Sequence, residues 1–180
     1  LNINLGSAID TFNVRSTHAN TITTVRTGTG GADNVVNIGS QASLALGNVN
    51  GIAGKLYVVG QSDGTDTLNV DETGDNGTDP GNLTSSVISG LGIAANDSAN
   101  GIDYTDFDDL NINLGTGNDT FTIESTHTGT TDLDTGNGAD VINIKTIQGI
   151  TTVAGGTGSD HINVGSMAAG TQGDSTNNSG

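Results

Sequence analysis

Short runs of strict apolar–polar alternation recur along the chain. Leu110, Ile112 and Leu114 alternate with Asn111 and Asn113, which predicts an extended segment with its apolar residues on one face. Gly115 to Asn118 then supplies turn chemistry, since Gly and Asn tolerate the left-handed backbone of a tight turn. Thr120 to Ile123 resumes the alternation with β-branched and aromatic residues, a second strand. Ser125 to Thr130 makes another turn, and Thr131 to Asp134 begins the cycle again. The pattern predicts two short strands and two turns in about 20 residues.

The cycle keeps its register. Gly115-Thr116-Gly117-Asn118-Asp119, Gly136-Asn137-Gly138-Ala139-Asp140 and Gly156-Thr157-Gly158-Ser159-Asp160 end on aspartates 21 and then 20 residues apart. Each is followed by an apolar–polar–apolar triplet: Phe121-Thr122-Ile123, Ile142-Asn143-Ile144, Ile162-Asn163-Val164. One such unit cannot bury its apolar face, but stacked units share a thin continuous core. The expected fold is all-β, a parallel β-solenoid (β-helix or β-roll) with laps of about 20 residues. Laps are expected near 1–22, 23–46, 47–70, 110–130, 131–149 and 150–166, within one segment spanning 1–180 of a longer repeat protein.

A larger repeat contains the small one. Leu1 to His18 (LNINLGSAIDTFNVRSTH) matches Leu110 to His127 (LNINLGTGNDTFTIESTH) at a constant offset of 109 residues. The apolar–Asn–apolar triplet recurs around Asn13, Asn37, Asn69, Asn143 and Asn163, which stacking would align as an amide ladder. Residues 71–109 break the rhythm with an acidic run holding the single proline, and read as an irregular insertion on one flank with short strands returning at Leu110. Residues 167–180, polar and without period, read as a terminal loop.

Composition narrows the partners. Four Lys+Arg stand against 20 Asp+Glu, a formal charge of −16, so nothing offers to neutralise nucleic-acid phosphates. No stretch is apolar enough for a membrane span, and the lack of cysteine excludes disulfides and thiolate metal sites. Low hydrophobicity with high net charge also describes disordered chains; strict alternation argues against that. Only Glu72 and Glu124 are glutamates; aspartate suits turns and metal ligation better than helix faces.

The stretch Gly155-Gly156-Thr157-Gly158-Ser159-Asp160-His161-Ile162-Asn163 fits the glycine-rich nonapeptide GGxGxDxUx of calcium-binding β-helices at each specified position. Through it the chain resembles the hemolysin-type (RTX-like) calcium-binding repeat family of bacterial extracellular proteins. The resemblance implies a right-handed coil in which turn aspartates and neighbouring carbonyls hold Ca²⁺ between laps. Position by position, it implies Asp119 with Gly115 and Gly117, Asp140 with Gly136 and Gly138, and Asp160 with Gly156 and Gly158. Asp10, Asp33 and Asp66 match at the aspartate but depart in glycines or spacing. The family repeats every nine residues and this chain about every twenty, so calcium is expected on at most one edge of the coil.

Electrostatics independently favours a cation. Carboxylates on adjacent laps, roughly 4.8 Å apart, repel by roughly 1 kcal/mol in water and roughly 3.5 at an effective dielectric near 20. Hard oxygen donors of this kind suit calcium better than magnesium. The competing reading is that Asp and Gly are simply good turn formers. His18 and His127 hold equivalent places in the large repeat and are expected to serve turns, and His161 to face solvent.

The expected function is structural: a non-enzymatic filament, stalk, adhesin or matrix module, extracellular or on the cell surface. Its partners would be neighbouring repeats of the chain and other copies in a filament or matrix. Two alternatives are weaker. A carbohydrate-active β-helix enzyme needs paired acids such as Asp108-Asp109 or Asp132/Asp134 beside a sugar cleft, with little aromatic or basic residue to build one. A threonine-array ice- or surface-binding face would use Thr21–Thr24 and Thr128–Thr131, whose threonines keep no single register.

Overall fold

The computed structural model describes residues 1–93 and 101–166, so the expected terminal loop at 167–180 lies outside the described residues. Among these residues there is no α-helix. Fifteen short strands follow the chain: β1 (Asn2–Asn4), β2 (Thr11–Val14), β3 (Ile22–Arg26), β4 (Val35–Ile38), β5 (Lys55–Val59), β6 (Thr67–Asp71), β7 (Gly81–Leu83), β8 (Val87–Gly90), β9 (Ile102–Thr105), β10 (Asp109–Asn113), β11 (Thr120–Ile123), β12 (Thr130–Asp134), β13 (Val141–Ile144), β14 (Thr151–Ala154) and β15 (His161–Val164).

The strands sort into two sheets. One has nine strands in the order β1-β3-β5-β9-β8-β7-β11-β13-β15, the other six in the order β14-β12-β10-β6-β4-β2. Outside β7–β9 the chain visits the sheets alternately, so one lap is one strand in each, and each new strand lies parallel beside the strand of the previous lap. The alternation seen in the sequence explains this: β6 and β10 are buried at Leu68, Val70, Leu110 and Ile112 and half-buried between. Inward residues of both sheets form one hydrophobic cluster along the stack.

The stretch 71–109, expected as an insertion on a flank, instead joins the nine-stranded sheet. β7 pairs parallel with β11 and β9 parallel with β5, while β8 runs antiparallel between them. Thr84 closes the β7–β8 hairpin by accepting from the Ser86 and Val87 N–H groups through its hydroxyl. The Tyr104 hydroxyl donates to the Thr84 carbonyl at 2.7 Å and ties β9 to that turn. At Gly81 a Cβ would lie 2.3 Å from the Phe121 ring, so glycine is what lets β11 close on β7. Three strands thus stand where the regular pattern has one, and β6 still pairs directly with β10. The two extra spacings, about 10 Å in all, lengthen one side of the stack relative to the other.

The 109-residue repeat therefore contains three and a half laps. The phrase Leu-Asn-Ile-Asn forms β1 in the nine-stranded sheet and β10 in the six-stranded sheet. Its two copies are half a lap out of phase. The asparagines follow suit and form two ladders. Asn37, Asn69 and Asn111 each donate to the asparagine of the preceding lap, Asn13, Asn37 and Asn69, at 2.8–2.9 Å on the six-stranded sheet. Asn163 donates to Asn143 at 2.8 Å on the other.

Candidate functional site

The half-lap shift divides the six candidate aspartates between two edges. Along the first edge, register places Asp10, Asn34, Asp66 and Asp108 one above another, each just before a strand of the six-stranded sheet. Along the second, Asp79, Asp119, Asp140 and Asp160 stand in the same relation to the nine-stranded sheet. Asp33 lies one residue out of its column; Asn34 takes that place, and Asp33 accepts the Thr65 N–H at 2.7 Å.

Both columns share a hydrogen-bond rule: a backbone N–H donates to the side chain one lap on. Asp10, Asn34 and Asp66 donate in turn to Asn34, Asp66 and Asp108 at 2.9–3.0 Å. Asp119 and Asp140 donate to Asp140 and Asp160 at 2.8 and 3.1 Å. A turn aspartate is thus a lap-to-lap clamp before it is anything else. The glycines have an equally structural reason. A Cβ on Gly138 would lie 1.9 Å from the Gly117 carbonyl oxygen, and one on Gly158 only 1.5 Å from that of Gly138. Gly115 and Gly136 stack in the same way, and their carbonyls accept the Asn137 and Thr157 N–H groups at 3.0 and 2.9 Å. Each such carbonyl keeps one lone pair.

The columns differ in how their carboxylates are satisfied. Asp66 is fully buried and accepts from the Asn34 N–H, the Asn34 amide, the Gln61 N–H and the Thr27 hydroxyl. Four donors around one carboxylate supply what water would have supplied. Asp119 is also buried, at 7% exposure, yet among the described residues no donor is hydrogen-bonded to its carboxylate. It faces a cavity of about 10 Å³ lined by Glu72, Asp75, Asp79, Leu91, Leu114 and Gly115, room for roughly one water or ion. Asp75 Oδ2, and Asp140 Oδ2 one lap above, are buried without a partner among the described residues.

Four carboxyl groups around one small cavity strain against ionisation. Burial, helped by repulsion from Asp75 and Asp79, pushes Glu72 up to about 8, although the Val49 N–H that it accepts pulls the other way. Asp119 is pushed up to about 6 by burial and by the charges of Asp140, Asp75 and Asp79. Asp79 is raised by burial and by Asp75. The ion pairs among the described residues, Lys55–Asp103 and Lys145–Glu124, lie elsewhere.

The donor chemistry of this corner suits a hard divalent cation. With the side chains as they stand, no three His, Cys, Asp or Glu groups among the described residues are gathered in metal-holding geometry. Glu72, Asp75 and Asp79 were not among the sequence candidates, yet a signal was present. Gly77-Thr78-Asp79 repeats the end of the Gly-x-Gly-x-Asp phrase, with Asp75 standing where later laps have glycine.

The histidines lie apart. His127 packs edge-on against Tyr104 with centroids 5.8 Å apart and meets Thr131 Oγ1 through Nδ1. His18 contacts the Ala19 carbonyl, and His161 opens β15 exposed. Set against known proteins, the chain matches no family model, no curated protein and no solved structure.

Proposed function

We propose that the chain is a parallel β-solenoid serving as a calcium-stabilised structural module of an extracellular or cell-surface filament, stalk, adhesin or matrix. The observation that carries this reading is the corner where the buried Glu72 and Asp119 meet the half-buried Asp75 and Asp79, with no base and no donor for Asp119 among the described residues. A fold that gathers carboxylates in this way is completed by a divalent cation, which neutralises them without protons. Glu72, Asp75, Asp79 and Asp119 would hold it, with the Gly115 carbonyl alongside. Bound calcium would tie the β6–β7 turn to the β10–β11 turn, the point where the two halves of the stack meet.

The family resemblance adds the aspartates of the later laps. Asp140 and Asp160 already clamp the laps below them through one oxygen, and Asp140 has a second oxygen left over. Calcium there would be secondary to the corner. Because a cation bound only by the folded chain adds its binding free energy to folding, abundant extracellular calcium would favour the folded rod.

The test is calorimetric titration of the metal-free chain with Ca²⁺ and with Mg²⁺, followed by thermal melts of each state. A saturable calcium signal and a raised Tm that magnesium does not reproduce are expected. No heat and an unchanged Tm would leave the aspartates as turn formers and remove calcium from the reading.

A further inference from the structure

The broken lap opens the coil on the edge opposite the acidic corner. The turns at 106–108 and 124–129 both lead from the nine-stranded sheet to the six-stranded one. On the six-stranded side they are packed one lap apart. The Thr130 N–H donates to the Asp108 carbonyl at 2.7 Å, and a Cβ on Gly129 would lie 2.2 Å from that carbonyl oxygen. On the nine-stranded side β8 and β7 stand between β9 and β11, two extra strand spacings or about 10 Å. The wedge left between the turns is a recess of about 280 Å³, lined in part by Tyr104, Phe107 and His127. One lap on, the same edge is closed, and the Thr126 hydroxyl accepts the Gln148 and Gly149 N–H groups at 2.9 and 3.4 Å.

The β7–β8 hairpin tip forms one wall of the recess and is pinned by its backbone. The Thr84 and Ser86 carbonyls accept from the Tyr104 hydroxyl at 2.7 Å and the Tyr104 N–H at 2.9 Å, and the Ser85 N–H donates to Ser125 Oγ at 2.9 Å. His127 is braced edge-on by the Tyr104 ring. Walls ordered in advance lower the cost of binding. The side chains at the rim are left over. The hydroxyls of Ser85, Ser86, Thr105 and Thr128, the Gln148 amide and the Asp106 carboxylate are exposed and make no hydrogen bond among the described residues.

A second recess of about 280 Å³ shares Ser86, Tyr104 and Thr105 with the first and continues it onto the outer face of the nine-stranded sheet. Tyr57, Val59 and Val87 give it an apolar lining. Of the two Tyr and three Phe in the chain, Tyr57 is the most exposed, at 37%. Its ring is held by the Lys55 ammonium, 5.4 Å from the centroid, and that ammonium is in turn paired with Asp103 at 2.8 Å. The cation beside this face is therefore already neutralised.

We propose that the two joined recesses are a binding groove for a neutral oligosaccharide. One pyranose lays its C–H face on Tyr57, Val59 and Val87, and the next sets its hydroxyls among Ser86, Thr105, Asp106 and Gln148. Small-molecule sites combine an apolar surface with a few convergent polar groups, and a sugar ring carries both complements. Anionic ligands meet a formal charge of −16 and the Asp106 carboxylate. An extended peptide needs an open strand edge, whereas β5, β9 and β8 are each paired on both sides. The groove rests on the fold alone and adds a ligand to the structural reading without depending on calcium.

The test is saturation-transfer NMR of the whole chain in calcium. The probes are neutral di- to tetrasaccharides of glucose, mannose, galactose and N-acetylglucosamine, with oligogalacturonate as the anionic control. Transfer to the ring C–H protons of at least one neutral glycan is expected, and none to oligogalacturonate. Tyr57→Ala is expected to weaken that glycan about tenfold, the worth of one aromatic contact. Thr105→Arg, at the exposed position shared by both recesses, is expected to abolish binding, each variant keeping the wild-type circular dichroism. No transfer to any neutral glycan, equal transfer to oligogalacturonate, or binding unchanged by both substitutions overturns the proposal. The calcium titration decides separately. Calcium heat without glycan transfer removes the groove alone, and glycan transfer without calcium heat removes the cation alone.

Discussion

Asp66 and Asp119 occupy the same position in the lap, immediately before a strand, and both are buried. Their surroundings are opposite. Asp66 sits among donors, its four hydrogen bonds coming from three residues in two turns. Asp119 sits among acids, with Glu72, Asp75 and Asp79 around a shared cavity. One motif position thus yields an anion completed by the protein and an anion for which the described residues supply no donor. What decides is the lap below. Thr27 and Asn34 offer hydroxyl, amide and N–H groups to Asp66, while the β6–β7 turn offers Asp119 more carboxylates. An aspartate in a glycine-rich turn is therefore no metal ligand by virtue of the motif alone.

The largest effect should come from breaking the satisfied site. Asp66→Ala strands the Asn34 and Gln61 N–H groups and the Thr27 hydroxyl in a fully buried place, and should cost about 3–5 kcal/mol. The loss, read from chemical denaturation, should be the same in EDTA and in calcium. A loss confined to calcium would mean that Asp66 holds metal and that the contrast between the two edges is false.

Asp119→Asn should do the reverse. In EDTA it removes a charge from an overcrowded corner and should raise stability by about 1 kcal/mol. In calcium it should lower stability relative to wild type, because a ligand oxygen is lost. The sign change between the two buffers is the diagnostic; equal effects in both would remove the cation from the corner.

Acidity sharpens the same comparison. Glu72 holds its proton to about pH 8 in the fold, against 4.5 unfolded, and Asp119 to about 6, against 3.8. Between those values the folded state binds the extra protons, so stability falls as pH rises. In EDTA the Tm should therefore decline from about pH 4.5 to about pH 8, steadily rather than at one step. Saturating calcium should flatten or invert that slope, since the cation needs the ionised carboxylates. A Tm independent of pH across this range in EDTA would show that the corner is open to water.

Much of this architecture was legible in the chain. Two-residue alternation in Leu110–Leu114 and Thr120–Ile123 and the 20-residue recurrence of Gly-x-Gly-x-Asp sufficed for short strands in parallel sheets. The half-lap shift was not legible, because Leu-Asn-Ile-Asn suits either sheet equally and period alone does not say which sheet a strand joins. Residues 71–109 misled through their acidity. Their strands are three or four residues long and hinge on Gly81, whose role appears only when the Phe121 ring lies over it. The acidic corner needed the third dimension as well, since Glu72 and Asp119 are brought together by a turn that lies a lap away.

The smallest expected effect lies on the outer faces, where the asparagine ladders tell whether the side-chain amides or the backbone hold the register. Asn69 stands mid-ladder, donating to Asn37 and accepting from Asn111, both at 2.8 Å. It is half-buried, so water replaces part of what a truncation removes. Asn69→Ala should cost about 1 kcal/mol, near the net worth of a neutral hydrogen bond. Asn13, more exposed and bonded to Asn37 alone, should cost less when truncated. Asn69→Thr should recover most of the loss through strand propensity if the amide ladder is a supplement to the parallel backbone ladder. If Thr fails to recover it, the amides carry register themselves.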